Sequence, residues 1–590
     1  MSINKVGIRA GCWLFLTLVW SSGVMAVTPY WADPVPQGQL DVSLVANAGV
    51  QANVPVIAAF GVPFPRGSIN SAGLANLRVF DQEQEIPAYV EALTPWRHRT
   101  DVQIDNQSVR VALVQVEVVF PNPALPRLLT VRWGGPVRTL NRPSRATRAS
   151  TWTLVEAGSF VAADAVHEPR VLALLPPEWL SLGVLKGNRA LPFAAGNPAS
   201  RDNPATNDAV LSWPAFEEQE RAHKNDFYTV INEDDPAVLP ANLCPYKTDF
   251  EPWLYDRAAT MFALHFRSGS AKALREALRF TDFYRARINA SGMFTLKADD
   301  NKYAFNESLA YAFWMTGDET FLPAISLTAG AHNGTQHVWS TGLGFWTERS
   351  AAFKLMAHTI DYEITGNQVR RDSVDEIVNA LSTHQDGANG VIPAAGRIDG
   401  GFYHTGAQHG DWDAAAYGAS TWMTALLTDA LRRAYLTRGD TTTAHMIRRT
   451  GTFLKTSLRT AGSDFGTTVA PRYVIEFDGT DFAVQSPLHE VEHALNVGSA
   501  IAWADYFGAL LAQRDATLVG HRTSLYATYD LGVNFWIRPA GPASGLAAFR
   551  VTPWRKWSWQ HRTSDGLSFA VMAADAVAGE TPMFINSFEG

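Results

Sequence analysis

The chain has 590 residues, a length that suggests two to four domains, and 46% of them are hydrophobic, ample for a large buried core. Acidic residues number 57 against 49 basic ones, a formal net charge of −8. That balance excludes the basic surface that phosphate recognition needs, and nucleic acid with it as a partner.

Residues 1–26 read as a signal peptide. Lys5 and Arg9 form a short positive region, Cys12–Trp20 (CWLFLTLVW) is an apolar core, and Val24-Met25-Ala26 supplies small residues for cleavage after Ala26. The apolar core falls short of the roughly 20 residues that cross a bilayer, and no later segment is long and apolar enough to span. The mature protein is therefore expected in the periplasm or outside the cell. Of the two cysteines only Cys244 follows the cleavage point, so no intramolecular disulfide is expected.

From 27 to 193 the pattern is that of strands. Val42-Leu44-Val45, Val54 to Phe60, Leu77-Val79, Val109 to Phe120 and Leu128 to Trp133 are short β-branched or alternating runs. Gly, Pro and Asn punctuate them, which predicts a β-barrel or sandwich. Residues 194–250, rich in Asn, Asp, Pro and Glu, read as a linking segment. The period becomes helical over 251–532. The tail, 533–590, looks β-like again, with Phe549-Arg550-Val551 and Leu567 to Met572 as its clearest runs.

The helical region repeats. Met261 to Phe266, Leu309 to Met315, Phe353 to Ile364 and Trp422 to Leu436 are aromatic-rich amphipathic runs. Each ends near a glycine, and these glycines (Gly269, Gly317, Gly366 and Gly439) stand 48, 49 and 73 residues apart. Glycine just past a helix end can take the left-handed conformation that caps it. A period near 50 fits one helical hairpin per unit, and a single hairpin cannot bury its own apolar face. The pattern predicts an (α/α) toroid of five or six hairpins.

In such a ring the equivalent helices run in one direction, so their N-termini gather at one mouth. The starts read Trp253 to Arg257; Asp299-Asp300-Asn301-Lys302-Tyr303 with Asn306-Glu307; Phe345-Trp346-Thr347-Glu348-Arg349; and Phe402-Tyr403-His404 with His409-Gly410-Asp411-Trp412-Asp413. A later start reads Ser486-Pro487-Leu488-His489-Glu490-Val491-Glu492-His493, with Ser486 as a natural cap and Pro487 suited to the first turn. A single acid in a first turn also complements the helix dipole and needs no further role. The recurrence of aromatic and titratable residues over several starts argues for a carbohydrate cleft. Aromatic faces there stack on sugar rings, polar side chains bind hydroxyls, and helix N-termini attract uronate carboxylates. Most of the 19 Trp residues are nonetheless expected in the core.

His489-Glu490-Val491-Glu492-His493 matches the H-E-x-x-H zinc pattern. A catalytic zinc normally takes three protein ligands, yet the next Glu after Glu492 is Glu580, and the extended form with a third His is absent. No cofactor is therefore expected. His489, Glu490 and His493 are assigned to the cleft, a metal there having only that incomplete pattern behind it. No G-x-S-x-G elbow, Walker loop or dinucleotide fingerprint is present.

Val54-Pro55-Val56, Phe60 to Gly67, Leu77-Arg78-Val79 and Ser108 to Val114 together resemble the N-terminal RIFT-barrel domain of exo-rhamnogalacturonan lyase-like proteins. Those proteins carry a Trp-Pro-Asp-Gly-Ser-Val-Arg-Trp type segment, and Ile104 to Val111 keeps only part of it. The helical half is similar to the toroids of polysaccharide lyases and unsaturated-glucuronyl-type hydrolases. The resemblance implies β-elimination at a uronate within a polysaccharide or oligosaccharide. A cation or amide neutralises the carboxylate, a base removes the C5 proton, and an acid protonates the leaving oxygen. Asn306, Arg349 or Arg257 would neutralise, and Tyr403 and His404 would serve as base and acid, with His409, Glu348 and His489 in reserve. Lys302, Glu307, Trp346, Asp411, Trp412, His489, Glu490 and His493 would bind the substrate. Two other classes remain. A glycoside hydrolase would use paired carboxylates from Glu307, Glu348, Asp411 and Asp413. A non-catalytic glycan-binding protein of the envelope would need only the aromatic cleft.

Overall fold

The computed structural model describes residues 30–155, 165–192, 250, 253–387, 395–460, 469–480, 482, 493–536 and 567–575. The leader, almost all of the linking segment, and His489 and Glu490 lie outside these residues.

The N-terminal strands are β1 (Gly38–Ala46), β2 (Pro55–Pro63), β3 (Arg78–Asp81), β4 (Gln84–Ile86), β5 (Ala88–Pro95), β6 (Val109–Val119), β7 (Arg127–Trp133), β8 (Trp152–Leu154), β9 (His167–Pro169) and β10 (Val171–Leu174). They pair antiparallel into a five-stranded sheet, β10-β1-β7-β3-β4, a three-stranded sheet, β2-β6-β5, and a β8-β9 ribbon. Val42, Leu44, Leu129 and Val131 from the first sheet share one core with Phe60, Val62, Val111 and Val114 from the second. Among the described residues no strand pairing joins the two, so they form a sandwich of open sheets, and the closed barrel that the resemblance implied is not shown. Strand β6 is buried on both faces, because one packs within the sandwich and the other meets helices. That double burial is why its sequence reads as a nearly continuous apolar run.

Two short helices, α1 (Arg148–Thr151) and α2 (Pro177–Leu182), close this module. Five hairpins then follow: α3 (Arg257–Ser268) with α4 (Ala271–Ala286), α5 (Glu307–Thr316) with α6 (Leu322–Ala331), and α7 (Glu348–Thr365) with α8 (Gln368–Asp386). After the short α9 (Gly406–His409) come α10 (Thr421–Arg438) with α11 (Thr441–Thr456) and α12 (Ala494–Leu510) with α13 (Thr517–Trp536). The first helix of each hairpin is buried nearly all round, whereas α8, for example, buries one stripe, Val374, Ile377, Val378 and Leu381. The inner helices pack in chain order, α3 on α5, α5 on α7, α7 on α10 and α10 on α12. This is the expected inner-and-outer helix arrangement, with five hairpins among the described residues.

The four glycines that end the inner runs do adopt left-handed backbone, with φ between 62° and 72°. Three of these ends face the sandwich. A β-carbon on Gly317 would meet Leu113, one on Gly366 would meet Arg97, and one on Gly439 would meet His98 and Thr100. Arg145 donates to the Gly317 carbonyl at 2.6 Å and Trp314 Nε1 to Thr94 Oγ1 at 2.9 Å. The sandwich therefore covers the C-terminal ends of the inner helices α5, α7 and α10, and their N-terminal ends lie on the opposite side.

Phe549-Arg550-Val551 lies outside the described residues, and the described part of the tail departs from expectation. Leu567–Asp575 is a helix, α14, not a strand, and α13 continues past 532 to Trp536. Phe569, Ala570, Ala573 and Ala574 are buried, and α14 packs on α12 beside Trp503 and Tyr506. A short apolar run does not distinguish strand from buried helix by period alone, and packing settles it here.

Candidate active site

Five short strands decorate the helix row: β11 (His404–Thr405), β12 (Tyr417–Ser420), β13 (Leu458–Thr460), β14 (Val469–Pro471) and β15 (Val474–Glu476). The β11-β12-β15 sheet lies over the starts of α7 and α10, where β12 runs directly into α10. Thr347 caps α7, its hydroxyl accepting from Ser350 N–H at 3.3 Å, which fixes Glu348 as the first helical residue. Trp346 N–H donates to the Gln408 carbonyl at 2.9 Å and ties this start to α9.

Around that start a line of polar groups runs from the interior outward. Glu348 is completely buried, and its Oε1 accepts from Ser420 N–H at 2.8 Å. Its Oε2 has no hydrogen-bond partner among the described residues. His404, also completely buried, places Nδ1 3.9 Å from Glu348 Oε1 and 3.1 Å from the Phe402 carbonyl. His404 Nε2 is 2.9 Å from His409 Nδ1, the two rings lying nearly parallel. His409 Nε2 lies 3.3 Å from Asp411 Oδ2, at ion-pair distance but off hydrogen-bond alignment. Asp411 is exposed, and the half-buried Tyr473 donates its hydroxyl to the same Oδ2 at 2.7 Å. Trp346 and Trp412 wall the histidines, with ring centroids 4.8 and 5.2 Å from His404, and Trp412 stacks on Phe482.

The electrostatics grade along this line. Burial pushes the Glu348 carboxyl up to about 8, against the pull of the helix-start and Ser420 amides and of Arg349. Burial holds His404 well below the ordinary histidine value, and the neighbouring His409 adds to the effect. His409 is lowered by burial too, although Asp411 opposes this. Asp411 is held below the usual carboxylate range by His409 and by the Tyr473 hydroxyl. Burial, the hydrogen bond to Asp411 and that carboxylate's charge all raise the Tyr473 phenol. The half-buried Arg349 acts on Glu348, His409, Asp411 and Tyr473 alike, and its guanidinium lies 5.7 Å from the Trp422 ring.

The structure thus brings together Glu348, Arg349, His404, His409, Asp411, Trp346 and Trp412. Tyr403 does not join them. Its hydroxyl donates to the Ile398 carbonyl at 2.8 Å and its ring packs edge-on against Phe453, away from its neighbour His404. Successive side chains of extended backbone point to opposite sides, so the two cannot act as one pair.

Asn306 and Glu307 are buried among the helices. Asn306 donates to the Ala357 carbonyl at 2.8 Å, and Glu307 accepts from Tyr311 at 3.2 Å. Arg257 is buried in the first turn of α3. Asp413 caps its own turn by accepting from Ala415 N–H at 2.8 Å. Lys302 pairs with Asp300 at 3.0 Å on a separate open groove of about 570 Å³, lined also by Gln336, Phe345 and Ser350. His493 is buried and stacks on Trp422 with centroids 4.8 Å apart. It therefore reaches the edge of the site, while its motif partners His489 and Glu490 lie outside the described residues.

Sequence reading missed Tyr473 and Ser420. Neither begins a titratable cluster in sequence, and only the pairing of β12 with β15 carries them to the mouth.

No family model matches this chain, and no curated protein matches it in sequence. Among solved structures it resembles an unsaturated glucuronyl hydrolase from Streptococcus agalactiae, at 12% identity and a TM-score of 0.39 over 64% of this chain and 97% of that one. It also resembles a sugar epimerase from a ruminal bacterium, at 12% identity and a TM-score of 0.38 over 54% and 87%. A polysaccharide lyase stands at 10% identity and a TM-score of 0.36 over 59% and 97%. Likenesses this slight assign no reaction.

Proposed function

We propose that this chain is an exported, glycan-active enzyme that cleaves a uronate-containing polysaccharide by β-elimination at the helix-start mouth. The observation that carries the reading is the Tyr473 hydroxyl bonded to Asp411 at 2.7 Å, with Arg349 acting on both. Arg349 neutralises the uronate carboxylate and so acidifies the C5–H bond. The Tyr473 oxygen takes the C5 proton as its own proton passes to Asp411. The C4–O4 bond then breaks, Tyr473 protonates the leaving oxygen, and Asp411 returns the proton to Tyr473. Both groups end as they began, and the product carries a C4–C5 double bond conjugated with the carboxylate. The groove at Lys302 and Phe345 supports binding of further sugar units, since Phe345 is 62% exposed and Ser350 joins the groove to the Arg349 turn. Export rests on the leader ending at Ala26.

A hydrolase reading has one observation in its favour: burial raises the Glu348 carboxyl while Asp411 is held low, the split an acid and an ionised partner require. A panel of uronate-containing polysaccharides separates the readings. β-Elimination gives new reducing ends together with ultraviolet absorbance from the conjugated product. Hydrolysis gives reducing ends without absorbance, and a binding protein gives neither. Reducing ends without absorbance, or no cleavage anywhere on the panel, sinks the lyase assignment.

A further inference from the structure

We propose that Glu348, His404 and His409 form a binding site for one divalent transition metal of the zinc class. One donor atom from each of the three lies within 4.8 Å of the others, and all three side chains are buried. Two further observations point to a cation.

The first is the hydrogen bookkeeping of the histidines. His404 Nδ1 faces the Phe402 carbonyl at 3.1 Å, and a carbonyl only accepts, so this nitrogen carries the hydrogen and Nε2 carries a lone pair. In the tautomer with its hydrogen on Nε2, towards the Asp411 carboxylate 3.3 Å away, His409 presents a lone pair on Nδ1 as well. The two nitrogens face each other at 2.9 Å, a hydrogen bond in the other tautomer of His409 and a pair of metal donors in this one.

The second observation is Glu348 Oε2, buried and without a hydrogen-bond partner among the described residues. A carboxylate oxygen left in that state is costly, and a metal bond removes the cost. Zinc bonds to nitrogen and oxygen are about 2 Å long, so ligand atoms sit a little over 3 Å apart and Glu348 has to move inward by roughly 1 Å.

The surroundings are those a metal ligand requires. Each histidine is oriented through its other nitrogen, His404 by a backbone carbonyl and His409 by a carboxylate that Tyr473 in turn holds. Two imidazoles and one carboxylate suit zinc and its neighbours, whereas calcium and magnesium prefer all-oxygen sites.

The inference does not rest on the glycan reading, because metal binding is measured without substrate. The full mature chain is stripped with a chelator, dialysed against zinc chloride, desalted and assayed by elemental mass spectrometry and thermal melting. About one zinc per chain and a raised Tm are expected for the wild type and for the control His521→Asn, which lies on α13 away from the cluster. Glu348→Gln and His409→Gln should each bind at least tenfold more weakly and lose the Tm shift. Asp411→Asn, an exposed change that leaves the three ligands in place, should weaken binding by about 10- to 100-fold. It serves as the test if the buried variants fail to fold. A wild type that takes up no zinc overturns the proposal. So do ligand variants that bind zinc as the wild type does, or, where those do not fold, an Asp411→Asn protein of unchanged affinity.

Discussion

Tyr473 donates its hydroxyl to Asp411 at 2.7 Å although the two stand 62 residues apart. The bond joins the segment entering β15 to the loop after α9, and it places a phenol beside Arg349 at the mouth of the helix row. Removing only the oxygen isolates its role. Tyr473→Phe should lower kcat by about 10²- to 10⁴-fold, the usual worth of a positioned proton-transfer group, with a much smaller change in KM. Absorbance at the conjugated product, measured alongside the melting curve, checks this; a folded variant with wild-type kcat removes Tyr473 from the mechanism.

Tyr403 supplies the contrast. Among the described residues its hydroxyl bonds only the Ile398 carbonyl, and its ring is buried against Phe453. Tyr403→Phe should cost about 1 kcal/mol of stability, the net worth of one hydrogen bond, and leave kcat within about twofold. Urea unfolding and the same absorbance assay give both numbers. A loss of activity without loss of stability would restore Tyr403 to the chemistry.

The two modules are locked by charge. Arg110 of β6 and Arg433 of α10 both bond the Glu363 carboxylate of α7, and all three side chains are buried. Arg110 also lies 4.7 Å from the Trp96 ring and 4.4 Å from the Trp314 ring. Glu363→Gln would leave two buried guanidiniums facing a neutral amide. The loss should be roughly 3 to 5 kcal/mol, as for other broken buried pairs. Chemical denaturation checks the size, and limited proteolysis checks whether the sandwich separates from the helices first.

Acid should weaken the junction between the β8-β9 ribbon and α4. Burial alone would raise Asp282, but hydrogen bonds from His167 and the guanidiniums of Arg148 and Arg285 outweigh it and hold the carboxyl at about 2. Its folded value lies below the reference value of 3.8. It therefore contributes stability above about pH 4, and that contribution is lost as the pH falls towards 2. The difference is worth roughly 2 kcal/mol. Asp282→Asn should flatten the stability profile between about pH 4 and pH 2, measured by denaturant melts at each pH. An unchanged slope there would remove Asp282 from the acid response.

Local signals carried much of this architecture. Short β-branched or alternating runs located β1, β2, β3, β6 and β7, since such runs suit a pleated strand covered on one face or both. Glycine marked the ends of four inner helices, because only a residue without a β-carbon takes left-handed backbone cheaply where another chain segment also presses close. Helix direction placed Glu348 and Arg349 at the mouth, as the repeat order implies, and His404, His409 and Asp411 join them there from β11, α9 and the loop after it. Tertiary structure decided the rest. Whether the sheets closed depended on pairings between distant strands, and among the described residues none joins the two. Leu567–Asp575 became a helix because α12 offered it an apolar face. Tyr403 was turned away and Tyr473 brought in by the β11-β12-β15 sheet, whose pairings span tens of residues and leave no local period to read. The sequence by itself determined which residue types reach the helix starts. Long-range packing decided which of them face one another, because side-chain direction at the mouth is set by strand register and not by the helices that carry it.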